Sequence, residues 1–164
     1  MKDMEVADVG GKPYREVVHR YYDGSTRRLL IVDEEVPFPE GKLIVSRTDT
    51  QAIITHGNQS FVEMSGFSQA EIIGQPHGIL RHPDMPAAAF ADVWATLGRG
   101  DTWQGYVKNL RKDGRYYWVF ATAIPNIRDG QVVGFTSVRR KPSRTKVNEC
   151  VALYAKLLAE EKKQ

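Results

Sequence analysis

The stretch WQGYVKNLRKDGRYYWVFATAIPNIRDGQVVGFTSVR, residues 103–139, decides the fold. Residues 103–112 and 115–127 are rich in aromatic and β-branched side chains, which suit a pleated, half-buried surface. Between them stands Asp113-Gly114, a dipeptide that accepts the positive φ angles of a tight hairpin turn. Arg128-Asp129-Gly130 turns the chain again, into residues 131–139. Two short turns between three such runs predict a three-strand antiparallel meander.

Upstream the pattern changes period. Phe90, Val93, Trp94 and Leu97 recur at helical spacing, with Pro86 before the run and Gly98 after it, so residues 87–97 read as a helix. Ser68 and Glu71 form a capping box ahead of 69–73, and Gly74 with Pro76 ends that helix. Asn58 can cap 59–64, and residues 75–85, with two prolines, read as a loop. Residues 43–48 and 52–55 read as two strands joined at 49–51. The fold class is therefore α+β: a five-stranded antiparallel sheet with short helices and one longer helix on one side. Such an arrangement encloses a hollow suited to a small ligand.

Flanking segments extend this unit of residues 42–140. In the extension 1–41, residues 14–22 and 27–33 form a predicted β-hairpin around Asp23-Gly24, followed by an extended linker at 34–41. Two strands alone are marginal in water, so the hairpin needs a surface to dock on. The tail 141–164 is a charged helix whose stripe Val147, Val151, Tyr154 and Leu158 must bury against the sheet, a second copy or a neighbour.

Composition narrows the function. The 164 residues are 41% hydrophobic and 26% charged, enough for one core. A diffuse net charge of +3 gives no concentrated basic face for nucleic acid. The one dense basic run, Arg139 to Lys146, lacks interleaved aromatics and reads as a solvated linker. One cysteine, Cys150, allows no intrachain disulfide and no multi-thiolate zinc site. With no signal peptide and no spanning apolar run, the expected location is cytoplasmic. No Gly-rich phosphate loop, nucleophile elbow or paired-histidine zinc motif suggests an enzyme.

Several motifs in order carry a family resemblance. They are Ser46-Arg-Thr-Asp49, Ile54-Thr-His-Gly-Asn58, Phe61-Val-Glu-Met-Ser-Gly-Phe67, Gly74-Gln-Pro-His77, Leu80-Arg-His-Pro-Asp-Met-Pro86, Phe90-Ala-Asp-Val-Trp94, Trp103-Gln-Gly-Tyr-Val-Lys-Asn109 and Tyr117-Trp118. Together they resemble the redox-sensing PAS domain of Aer-type aerotaxis receptors, over roughly residues 36–158. The resemblance implies a PAS fold that binds FAD non-covalently and signals through its redox state. It implies that Arg81, His82 and Asp84 are needed for FAD, with pocket roles for Asn58, His77, Trp94, Trp103, Asn109 and Trp118. The membrane anchor and methyl-accepting coiled coil of such receptors are not in this sequence. A separate signalling partner or receptor module, and a homodimer, are the expected partners; the N-terminal hairpin receives no family role.

The residues bear a flavin reading and a bland one together. A flavin needs an apolar slot, hydrogen-bond partners at the ring edge and cations or N–H groups for phosphate. Flat tryptophans, the amides of Asn58 and Asn109 and the Arg81 fork offer these. Taken alone, Trp94 reads as core, Trp103 equally as core or pocket, Asn58 equally as a helix cap, and Asp84 as the cap of the helix after Pro86, able also to orient Arg81. His77 and His82 share no helical face and do not read as a metal pair. Haem on His56, His77 or His82 is a rival cofactor, and a cofactor-free interaction module a rival function. Cys150 lies too far along the chain for a flavin–thiol adduct, and it and His19 read as packing or surface residues.

Overall fold

The computed structural model describes residues 1–163. A 3₁₀ helix, Val6–Val9, leads into β1 (Arg15–Arg20) and β2 (Thr26–Ile31), which form a separate two-stranded antiparallel sheet. Then come β3 (Ile44–Thr48), β4 (Ile54–Gly57), α1 (Gln59–Ser65), α2 (Gln69–Ile72), a 3₁₀ helix His77–Leu80, and α3 (Ala87–Gly98). The meander follows as β5 (Trp103–Leu110), β6 (Tyr116–Arg128) and β7 (Gln131–Arg140), and α4 (Arg144–Glu161) ends the chain. The five strands pair antiparallel in the order β4-β3-β7-β6-β5. This is the predicted α+β architecture.

Local chemistry explains the boundaries. Asp49 Oδ1 accepts from the amides of Gln51 and Ile53, and Ala52 takes φ 62°, so the turn runs on and β4 starts at Ile54 rather than at 52. The box at Ser68 and Glu71 forms as predicted. Pro125 is tolerated inside β6 because β5 pairs only as far as Ala123; beyond it β6 has a free edge and no amide is missed. Residues 75–85 are not plain loop. Their first part runs beside β4, with Ile54 N donating to Gln75 O and His77 N to Ala52 O, and Arg81 bridges to Asn109 on β5. One short segment thus ties together the two edge strands of the sheet.

Register assigns the faces. On β5 and β6 the pairs Trp103–Ala123, Gly105–Ala121, Val107–Val119 and Asn109–Tyr117 face the helices, and the intervening pairs face away. The inner face joins Phe61, Met64, Ile72, Ile79, Leu80 and Leu97 in the main core. A second core of Met4, Val9, Leu29, Leu30, Ile31, Val32 and Leu110 fixes the hairpin to the end of β5. The predicted linker is docked as well: Val32 N donates to Gly114 O, Val36 N to Tyr116 O, and Phe38 is buried. Helix α4 lies on the outer face, where Tyr154 stacks on Trp118 at 6.1 Å and donates its hydroxyl to Tyr106 O at 2.6 Å. None of the helices in residues 1–163 is long and apolar enough to cross a membrane.

Candidate functional site

The inner face carries a polar cluster in an otherwise apolar core. Arg139, near the end of β7, is 3% exposed. Its Nη2 donates to Ser46 Oγ at 2.8 Å and lies 2.7 Å from His77 Nε2, while its plane sits 5.3 Å from the Phe61 ring centre. That geometry makes His77 Nε2 the acceptor, and its pKa is lowered to about 3 by burial and by the Arg139 charge. Burial lowers the Arg139 pKa in turn, to about 10. Asn109 and Tyr117, paired across β5 and β6, are buried, and burial raises the Tyr117 pKa while Arg139, Arg111 and the neighbouring Asn109 side chain, which approaches the hydroxyl without a well-formed hydrogen bond, act against that rise.

Several of these groups have no partner. Arg139 Nη1, Tyr117 Oη and Asn109 Nδ2 are buried without a hydrogen bond, as are Arg81 Nε and His82 Nε2 in the segment that crosses to β5. Folded proteins leave few such atoms, since each costs about 1–3 kcal/mol, so a concentration of them marks a place where a polar ligand can bind. Arg139 lies over the Phe61 ring, and Tyr117 belongs to the main core with it, so the donors stand among apolar and aromatic side chains. The set fits a flat heteroaromatic group with polar atoms on its edge. Two recesses, of about 450 and 360 Å³, are lined instead by the N-terminal segments, α2 and the 3₁₀ helix at 77–80, and by no residue of α3 or the five-stranded sheet.

The predicted site residues divide. His77 and Asn109 stand in the inner cluster. Trp103 is on the same face, with Nε1 donating to Asp92 Oδ2 at 2.8 Å on α3. Arg81 Nη2 donates to Met85 O at 3.2 Å, and its plane lies 4.7 Å from the Phe90 ring centre. His82 is fully buried, accepts from Asp84 N through Nδ1, and has its pKa lowered to about 3 by burial, with Lys108 adding to the shift. Others lie apart. The Asn58 side chain is consumed locally: Oδ1 accepts from Phe61 N and Val45 N, and Nδ2 donates to Leu43 O. Trp94 is 45% exposed, with its ring T-shaped to Phe135 at 5.5 Å, so it is not the core residue its helical stripe suggested. Trp118 is buried, but register puts it on the outer face with Tyr154, across the sheet from Asn109.

Two expectations need correction. Asp84 does not cap α3, and its carboxylate makes no hydrogen bond or ion pair with Arg81. It holds Lys108 Nζ at 2.9 Å and Arg15 Nη2 at 3.6 Å, and Ala88 N takes Glu161 Oε1 of α4 instead. The basic run after the last strand is not all solvated either. Arg139 is a core residue, whereas Lys141 and Arg144 reach out to Glu40 and Glu35. Sequence reading missed Arg139, Tyr117 and Ser46. The signal for Arg139 was available: alternation along 131–139 puts it on the face of Phe135 and Ser137.

Comparison with known proteins agrees with this architecture. The family model described as PAS fold matches residues 54–139. Over 129 residues the chain is 43% identical to the aerotaxis receptor of Escherichia coli K12, spanning 79% of this chain and 26% of the receptor. It is 26% identical over 102 residues to a nitrogen fixation regulatory protein of Klebsiella pneumoniae, spanning 62% of this chain and 21% of the regulator. The chain thus spans about a quarter or less of the length of these relatives. Among solved structures, a light-oxygen-voltage domain whose mechanism was probed with a flavin analogue superposes with TM-score 0.56 at 24% identity, covering 74% of this chain and 85% of that one. Strand order, helix placement and sequence match converge, and the chain belongs to the PAS fold family.

Proposed function

We propose that this protein is a flavin-binding sensory domain that reads redox state or oxygen, with FAD as its cofactor, and that it is not an enzyme. The observation that carries the reading is the set of unpaired buried donors on the inner face, Arg139 Nη1, Asn109 Nδ2 and the Tyr117 hydroxyl. Likeness to an aerotaxis receptor and to a light-oxygen-voltage fold supports it. Residues 42–140 form the sensory unit, with 1–41 and 141–164 as its flanks. The unit works in the cytoplasm, as a homodimer, and hands its signal to a separate protein or receptor module.

A bound flavin supplies reversible electron transfer, and with it a change of charge and protonation at the ring edge. Asn109 can turn its amide, because both a donor and an acceptor are available to it. Arg139 places a fixed positive charge behind His77, and His77, held neutral, accepts rather than donates. Tyr117 can rotate its hydroxyl between Asn109 and the ligand. A change in these bonds shifts the population of two arrangements of β5, β6 and the outer-face helix, provided the ligand's two states bind them unequally. A second reading, an interaction module without a cofactor, is favoured by the close seating of Leu97 and Trp103 in the main core.

Fluorescence-quench titration of the purified chain with FAD tests the site. Arg139→Met is expected to weaken FAD binding by about tenfold or more, the loss of a charged hydrogen bond. Arg128→Gln, at the far exposed end of β6, is expected to leave it unchanged. Equal affinity in wild type and Arg139→Met would remove the inner face as the ring site.

A further inference from the structure

The hairpin has a face that no role above explains. In the register of β1 and β2, His19 is opposite Arg27, and Tyr21, two residues on, shares their side. That side rests on the segment that carries Arg81. A Cβ on Gly78 would stand 3.7 Å from the Tyr21 ring, and Arg27 donates Nη1 to Ile79 O at 3.4 Å and Nε to Lys2 O at 2.5 Å. His19 meets Tyr21 edge-on at 4.8 Å. His19 also lies within the electrostatic reach of both guanidiniums, Arg81 and Arg27.

The polar inventory here is weighted toward donors: the Asp84 carboxylate, 3.7 Å from His82 Nδ1, is held by Lys108 and Arg15, and the acids Asp3, Glu5, Asp8 and Glu71 line a recess that Arg27 also lines. Arg27 is 5% exposed and Tyr21 8% exposed. Among the described residues neither Arg27 nor Arg81 forms an ion pair. Glu161 on α4 acts on Arg81 electrostatically without forming an ion pair with it. The Tyr21 hydroxyl, His19 Nε2, Arg81 Nε and His82 Nε2 are all buried without partners. Two cations without an ion pair, Arg27 buried and Arg81 half-buried, and four orphaned polar atoms, from two segments far apart in sequence, come within electrostatic reach of one another. Buried charge in this form is costly unless something anionic pairs with it.

We propose that the hairpin and the 81–82 segment together form a binding site for a diphosphate group, to which the hairpin contributes His19, Tyr21 and Arg27. Two guanidinium forks plus neutral donors match a group with two charges and many acceptor oxygens better than a single carboxylate. The inference rests on the flavin reading only for its natural ligand, the diphosphate of a dinucleotide flavin. It gives the chain a physical means of preferring FAD to FMN, which lacks that linkage.

Calorimetric titration of the full chain with inorganic pyrophosphate reads the site directly. Wild type is expected to bind, Arg27→Gln to bind about tenfold or more weakly, and Arg20→Gln, on the opposite face of β1, to match wild type. Tyr21→Phe removes only a hydroxyl that makes no bond in the fold, so it keeps the test valid if Arg27→Gln unfolds; a weakening of about threefold or more is expected. Failure of wild type to bind pyrophosphate, or equal binding by wild type and Tyr21→Phe, would overturn the proposal. Parallel titrations with FAD, FMN and ADP separate it from the flavin reading. Loss of the FAD-over-FMN preference in the variants supports both. Pyrophosphate and ADP binding without any flavin binding supports the diphosphate site and removes the flavin. FAD affinity unchanged in both variants overturns the site and leaves the inner-face reading standing.

Discussion

Arg139 sits where a hydrophobic residue would pack more easily. It spends one guanidinium nitrogen on Ser46 and His77 and leaves another unpaired in the core. Residues retained at a cost in the folded state belong to function more often than to stability. Arg139→Met is therefore expected to leave the ligand-free protein as stable as wild type or more so in urea unfolding, while FAD binding falls. The buried histidines give a second residue-scale consequence. His82 is neutral in the fold down to about pH 3 and titrates near 6.5 when unfolded. The unfolded chain thus binds a proton that the native chain refuses, and stability falls as pH drops through that window. The slope is up to about 1.4 kcal/mol per pH unit for each such group. His82→Asn keeps an acceptor for Asp84 N and is expected to flatten the slope of urea stability between pH 6.5 and 5; an unchanged slope would mean that His82 does not titrate as described. The flavin-edge candidates His77 and Asn109 were legible from motif and residue type. Trp118 could not be placed because only the pairing of β5 with β6 decides which face it takes, and a flat aromatic residue suits both.

At the scale of elements, the hairpin and α4 are held by few but specific contacts. Gly114 takes φ +85°, and a Cβ there would stand 2.4 Å from Leu30 O. Gly114→Ala is expected to push the hairpin off the β5–β6 turn, costing about 2 kcal/mol or more and exposing β2 amides to hydrogen exchange. On the other side, Tyr154 and Glu161 fasten α4 to β5 and to the start of α3. Tyr154→Phe combined with Glu161→Ala, which removes both the hydroxyl donor and the carboxylate acceptor, is expected to speed amide exchange in the second half of α4 without moving the sheet; unchanged exchange there would mean that these two bonds do not secure the helix. Period, turn dipeptides and caps made the strands and helices legible, and the hairpin with them. The docking of 32–38 along the start of β6 was not, because two prolines and acidic residues read as linker, and the backbone partners that hold the segment lie some eighty residues away. Glu161 as the partner of Ala88 N was hidden for the same reason.

For the whole molecule, the segment 74–85 joins the sheet's two edges, lies under the hairpin, and leads into the helix that α4 caps. A change at the inner face therefore has a short physical route to both flanks. Reduction of the loaded protein is expected to alter hydrogen-exchange protection in α4 or the oligomeric state; identical behaviour of oxidised and reduced protein in both would contradict a signalling role. All of this stands on the presence of the cofactor. The measurement that tests it most directly is the absorbance spectrum of the freshly purified chain, repeated after incubation with FAD and followed by chromatography of whatever heat releases. Bands near about 370 and 450 nm, as for a protein-bound oxidised flavin, with FAD released, are the predicted result. A chain that stays colourless after incubation with FAD, or one that shows the intense Soret band of a haem, would contradict it.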